Sequence, residues 1–170
     1  YNASLASSAL LALGVVAEDI RAGLASFSGV EGRLQLVSEK NGIKIFNDNN
    51  ATTPEATIAA LQSFDPGKVV LIVGGSDKGL ALDELASEIK RTCKSVHMLS
   101  GTGTDKLRAL LPDAAVSDSL EKAMGAALDS AKEGDTVLFS PAFASFGPPP
   151  GGFKNEYERN DEFLALVKAL

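Results

Sequence analysis

The sequence predicts an α/β fold: a mostly parallel sheet with one antiparallel strand and helices on both faces. Two observations carry that prediction. From Arg33 onward, short apolar segments alternate with helical ones, and a wholly apolar strand such as 69–73 belongs in a sheet covered on both sides. Asn41-Gly42 stands between two strand-like segments, 34–37 and 43–46. That dipeptide is a strong hairpin signal, so one neighbouring pair of strands runs antiparallel.

Taken in order, residues 3–13 and 17–27 read as two short helices rich in Ala, Ser and Leu, parted by Gly14-Val15. Ser28-Gly29-Val30-Glu31-Gly32 follows as a flexible joint. The hairpin comes next, its second strand alternating through Ile43-Lys44-Ile45-Phe46. A helix over 54–64 opens at Thr53-Pro54. Thr53 can cap the free amides there, and Pro fits the first turn, where its missing N–H costs nothing. Strand 69–73, helix 81–91 and strand 96–99 follow, then helix 104–111 and a short strand near Ala115-Val116. Helix 119–132, strand 136–139 and a closing helix over 156–170 complete the chain.

At 170 residues the chain can bury a real core, and one principal domain is expected. The net charge of −6, without a Lys/Arg cluster, argues against a nucleic-acid surface and an anionic-membrane role. No apolar run approaches membrane-spanning length and no signal peptide opens the chain. Cys93, the single cysteine, excludes an internal disulfide framework and fits a reducing compartment, so a cytoplasmic protein is expected, and a monomer is expected with it. Tyr1 is not a natural initiator and the chain starts directly in a helix, which reads as a piece of a longer protein.

The distinctive loops, 47–53, 74–79, 100–104 and 140–152, all follow strands. In such a sheet they converge on the carboxyl edge, where ligands collect. Asn47-Asp48-Asn49-Asn50-Ala51-Thr52-Thr53 leads from a strand into a helix N-terminus, whose unpaired amides and dipole suit an anion or a polar ligand. Asp48 adds an acceptor fit for ribose hydroxyls or a metal-bound phosphate. A plain Asn/Asp turn, chosen for its local hydrogen bonds, explains the string equally well. Gly74-Gly75-Ser76-Asp77-Lys78-Gly79 permits close backbone approach, and Lys78 can meet a carboxylate or phosphate as a point charge. The loop is neither a Walker A motif nor a dinucleotide fingerprint, and by itself a simple turn is the better reading. Ser145 has no Gly-x-Ser-x-Gly elbow around it. His97, the only histidine, lies in an apolar strand and reads as a core residue, which disfavours a Ser-His hydrolase. Cys93 reads as a structural thiol.

Three of these strings together, Asn47-Asp48-Asn49-Asn50-Ala51-Thr52, Gly74-Gly75-Ser76-Asp77-Lys78 and Ser140-Pro141-Ala142-Phe143-Ala144-Ser145, resemble the C-terminal domain of the Mur ligase family. They are most similar to the branch that handles D-glutamate. Phe153-Lys154-Asn155-Glu156-Tyr157-Glu158-Arg159 resembles the closing helix of the same family. The resemblance implies a Rossmann-like domain over 33–170, with 1–32 as the last helices of a central ATPase domain and a hinge. It further implies that Lys78, Thr52 and Ser145 hold D-glutamate, with Phe146 and Tyr157 along the pocket. Arg33, Asp48 and Asn50 would meet ATP. Asn2 matches an Asn that contacts adenine, although the His before it in the family is Tyr1 here and a second Asn is Leu5. Two departures stand out. Asn49-Asn50 occupy a place where the family often has Ser-Lys or Thr-Thr, and Gly147-Pro148-Pro149-Pro150-Gly151-Gly152 replaces a short link. The insertion is stiff in its centre and hinged by glycine, suited to reshaping the substrate edge or acting as a lid.

The implied parent reaction joins D-glutamate to UDP-N-acetylmuramoyl-L-alanine in peptidoglycan synthesis, through an acyl phosphate formed with ATP. Mg²⁺ and the phosphate cradle are expected mainly outside this chain. No catalytic acid, base or metal ligand is expected within it, and the isolated chain is expected to be inactive. Two alternatives remain open: a sister amide ligase of the folylpolyglutamate synthase kind, and a non-enzymatic Rossmann-like binding module.

Overall fold

The computed structural model describes residues 2–147 and 152–170. Tyr1 and the core of the Pro-rich insertion, 148–151, lie outside the described residues. The chain forms two compact units, one reaching to Val30 and one beginning at Glu31. The first holds helix α1 (Asn2–Ala12) and helix α2 (Ala17–Ser26), with Gly14 at φ 85° between them. Helix α1 buries none of its residues and α2 buries only Ile20.

The second unit opens with the expected hairpin. Asn41 and Gly42 take φ of 52° and 72°, the pair of left-handed residues that a two-residue turn needs to match strand twist. The turn joins β1 (Gln35–Lys40) to β2 (Ile43–Asn47), and pairing runs from Lys40↔Ile43 to Gln35↔Asn47. Strand β1 therefore extends past the expected 34–37, because a tight turn keeps the ladder closed to its last residue. Helix α3 (Pro54–Leu61) starts as expected, with the Thr53 hydroxyl accepting from the Ala56 amide at 3.4 Å and Pro54 in the first turn. Strand β3 (Val69–Gly74) is buried throughout. Helix α4 (Asp83–Thr92) runs directly into β4 (Cys93–Leu99), which begins earlier than the expected 96 because it pairs with β3 from Val69↔Cys93 onward. Helix α5 (Thr102–Leu110), strand β5 (Ala115–Ser117), helix α6 (Leu120–Ser130), strand β6 (Thr136–Phe139) and helix α7 (Glu156–Lys168) follow.

The sheet order is β1-β2-β6-β3-β4-β5, with only the β1–β2 pair antiparallel. Strand alternation splits the core in two. Val69, Leu71 and Val73 face Leu61, Leu85, Ile89 and Leu107 of α3, α4 and α5. Val70 and Ile72 face Met124 and Ala127 of α6 and Phe163 of α7. The parallel α/β sheet with one antiparallel strand and helices on both faces is therefore present as the sequence predicts.

One consequence of the order positions the site. The chain runs from β3 outward to β4 and β5, then returns to place β6 between β2 and β3. The loops after β3 and β6 leave the sheet side by side at this reversal, where an open α/β sheet forms its crevice. Because β1 is antiparallel, its start lies opposite the end of β2, which brings Arg33 to the same edge. Among the described residues, no helix is long and apolar enough to cross a membrane.

Candidate functional site

A cleft of about 300 Å³ opens at that edge. Asn50 and Thr52 enter it from the loop after β2, and Lys78 from the loop after β3. Ala144, Ser145 and Phe146 enter from the loop after β6, with Arg33 and the first helical residue of α7, Glu156, beside them. The Lys78 ammonium donates to the Thr52 carbonyl at 2.9 Å and to the Thr52 hydroxyl at 3.0 Å, so it joins two loops across the cleft. Ser145 is buried, and its hydroxyl has no hydrogen-bond partner among the described residues. Arg33 is exposed and its guanidinium makes no ion pair among the described residues. Two cations, one carboxylate and two hydroxyls thus border one space.

Close backbone packing shapes the side formed by β3. Gly75 has φ 146°, and a Cβ there would lie 2.5 Å from the Ala144 carbonyl oxygen. Only glycine fits such a position. Ser76 and Ala144 then exchange backbone hydrogen bonds of 2.9 and 3.2 Å, which zips the loop after β3 to the loop after β6. The Thr104 hydroxyl accepts from the Gly75 amide, and the Thr102 hydroxyl accepts from the Asp77 amide. Asp77 pairs with Lys106, whose hydrogen bond holds the Asp77 carboxyl below the usual range.

Buried polar side chains shape the opposite side. Arg159 of α7 is fully buried. Its Nε donates to Asn49 Oδ1 at 2.7 Å, one Nη donates to the Asn49 carbonyl at 2.9 Å, and the other to the Phe143 carbonyl at 3.3 Å. Asn49 donates in turn to the Glu156 carbonyl, and Asn47 donates to Asn160, which donates to Glu31. Burial lowers the Arg159 pKa to about 10, still a cation at neutral pH.

Thr52, Lys78, Ser145, Phe146, Arg33 and Asn50 are thus brought together. Asp48 is not among them. It is buried, its carboxylate accepts from the Leu34 amide at 3.0 Å and from the Ser140 hydroxyl at 2.7 Å, and it ties the hairpin to β6. The structure places this residue, expected at a nucleotide, inside the protein beside the strand end. Tyr157 is exposed on α7 and does not line the cleft; Glu156 does so in its stead. Asn2 lies on α1 in the first unit. The family resemblance points to the 156–157 region as a pocket wall, where Glu156 lines the cleft, whereas it does not single out Arg159. Arg159 did leave a trace, standing four and eight residues before the buried Phe163 and Val167, a cation in a helix's apolar stripe.

Away from the cleft, His97 is buried on β4 with Nδ1 unpartnered, and burial lowers its pKa. Burial also pushes the Cys93 thiol up to about 12, which keeps it protonated and unreactive. Among the described residues, no three His, Cys, Asp or Glu side chains gather as a metal cage.

Residues 32–143 match the family described as Mur ligase, glutamate ligase domain. Over 176 residues the chain is 45% identical to a UDP-N-acetylmuramoylalanine--D-glutamate ligase of Roseiflexus sp. (strain RS-1), covering 99% of this chain and 37% of that relative. Among solved structures, the MurF ligase of Thermotoga maritima in complex with ADP matches with a TM-score of 0.60 at 25% identity, over 96% of this chain and 37% of that one. E. coli FolC in complex with ADP matches with a TM-score of 0.70 at 24% identity, over 99% and 39%, a likeness of fold alone. The chain spans little more than a third of the length of these relatives.

Proposed function

Because this chain belongs to the family of the Mur ligase glutamate ligase domain, we propose that its cleft positions D-glutamate for ATP-dependent ligation to UDP-N-acetylmuramoyl-L-alanine. The observation that carries the proposal is Lys78, bonded to Thr52 and lining one cleft with Ser145. A dicarboxylic amino acid needs one fixed cation and separate donors for its second carboxylate, and these residues supply both. An ammonium on a flexible stem is a point charge, so the Thr52 contacts are what fix its direction.

The domain's contribution is orientation. A bound amine held in line with its acceptor reacts as if intramolecular, which can remove roughly 7 kcal/mol or more of the barrier. No acid or base in the cleft is required for that. ATP, when bound, supplies activation of the acceptor carboxylate, and Arg33 and Asn50 are the residues of this chain that would face it. Mg²⁺ would be held elsewhere in the longer protein. The same reading makes the protein a monomer of the cytoplasm, the latter in keeping with its single cysteine.

The test is phosphate release by the full-length protein with ATP, Mg²⁺ and UDP-N-acetylmuramoyl-L-alanine, offering D-glutamate, L-glutamate, L-lysine and diaminopimelate separately. Turnover with D-glutamate alone is expected. Turnover confined to another amino acid would make the protein a sister ligase, and none at all would favour a binding module.

A further inference from the structure

We infer that Arg159 is a positioning residue of the cleft, fixing the loops that carry its contact residues without touching the amino acid itself. The inference rests on the proposed amino-acid cleft. Arg159 grips each loop one residue before a cleft residue. Its Nε and one Nη hold Asn49, next to Asn50 and three positions before Thr52, and its other Nη holds the carbonyl of Phe143, next to Ala144 and Ser145. It also stands three residues after Glu156, the cleft residue of its own helix. One side chain thus sets three walls of the site.

The energetics favour this reading over a role in stability alone. Arg159 is fully buried, and no carboxylate pairs with it among the described residues; its partners are carbonyl oxygens and the Phe139 ring, 5.9 Å from the guanidinium carbon. Burying a charge without a directly bonded carboxylate is costly, even with the Glu156 charge acting on it through space, and an apolar residue of similar size in the stripe with Phe163 and Val167 would pack at lower cost. What an apolar residue cannot do is hold two loops at once. The planar fork, with donors in fixed directions, does so, and lysine cannot reproduce it.

The experiment compares the full-length protein with Arg159→Lys, and with Arg159→Met where that variant folds. Two readouts are taken: the KM values for each substrate, and amide hydrogen exchange over 47–53 and 143–146. For Arg159→Lys we expect the amino-acid KM to rise on the order of tenfold, since small misplacements of contact groups act steeply on productive binding. The KM for the nucleotide-linked substrate should stay within about twofold, because that substrate is not oriented by these loops. Exchange should quicken in both loops while β3 stays protected. An unchanged amino-acid KM overturns the inference, and so does unchanged exchange in both loops, even if thermal stability falls. Should the wild-type protein turn over a different amino acid, the D-glutamate reading fails and the KM ratio is measured with that amino acid. Should it turn over none, the exchange of the two loops decides.

Discussion

The two sides of the cleft are built by different means. On the β3 side, Gly75 lets the backbone pass so near Ala144 that main-chain hydrogen bonds lock the loops after β3 and β6 together. On the β2 side, the loop lies against a buried network of Asn47, Asn49, Arg159 and Asn160 side chains. The first arrangement is steric and tolerates no added atom. The second is polar, sits in a low dielectric, and depends on each donor finding its acceptor. The comparison teaches that the two sides should fail differently, one by clash and one by charge.

The largest effect is expected from Gly75→Ala. The new methyl would meet the Ala144 carbonyl oxygen at 2.5 Å on a backbone with φ 146°. Strain of this kind, with no flexible neighbour to yield, should cost roughly 3 kcal/mol in denaturant unfolding. Gly79 is the control: its φ is 74° but nothing lies within 4 Å of the added Cβ. Gly79→Ala should therefore cost only about 1 kcal/mol, the conformational part alone. Equal losses at the two glycines would mean that close packing does not set the β3 side.

Next comes Asp48→Asn, on the polar side. The variant amide can accept from the Leu34 amide and donate to the Ser140 hydroxyl, which can pass its own proton to Thr57. At neutral pH the change should stay within about 1 kcal/mol. The pH dependence is more telling. Burial is the main influence on Asp48 and raises its pKa above the ordinary 3.8, outweighing the Ser140 and Leu34 hydrogen bonds. A carboxyl that holds its proton more tightly when folded stabilises the fold below its unfolded pKa and loses that contribution as pH rises through the folded value. Unfolding measured from about pH 4 to 7 should therefore show the balance moving toward Asp48→Asn as pH rises. A shift toward the wild type would show that the hydrogen bonds outweigh burial.

The elements were legible in the sequence because their signals are local. Thr53-Pro54 marks a helix start, Asn41-Gly42 a hairpin, and 69–73 a buried strand, and each is present. The insertion of β6 between β2 and β3 was not legible, since it rests on contacts between residues far apart in sequence, such as Ile45↔Val137. The cleft divides the same way. Thr52, Lys78 and Ser145 stand in loops that follow strands, so their common place at the sheet's carboxyl edge could be read from the sequence. Asp48 looked equally available, but which way a residue at a strand end points follows from register, which no short string contains. Arg159 was hidden because one partner, Asn49, lies far off in sequence, and two of its three bonds go to backbone carbonyl oxygens that any residue carries.

The smallest effect on stability and the clearest on function should come from Lys78→Ala. Lys78 is exposed and among the described residues its ammonium bonds only to Thr52, so its loss should cost about 0.5 kcal/mol or less in unfolding. An ammonium has three N–H donors. Thr52 takes two of them, through its carbonyl and its hydroxyl. The third has no partner among the described residues, and on the proposed function it would meet a ligand carboxylate. A charged hydrogen bond to a carboxylate contributes about 1.5–3 kcal/mol, so the amino-acid KM should rise on the order of tenfold to a hundredfold. Thr52→Val should raise it less, since the carbonyl contact survives and only the aim is loosened. An amino-acid KM that is unmoved by Lys78→Ala would leave the β3 side as a steric wall with no part in recognition, and would place the carboxylate partner with Arg33 on the opposite rim.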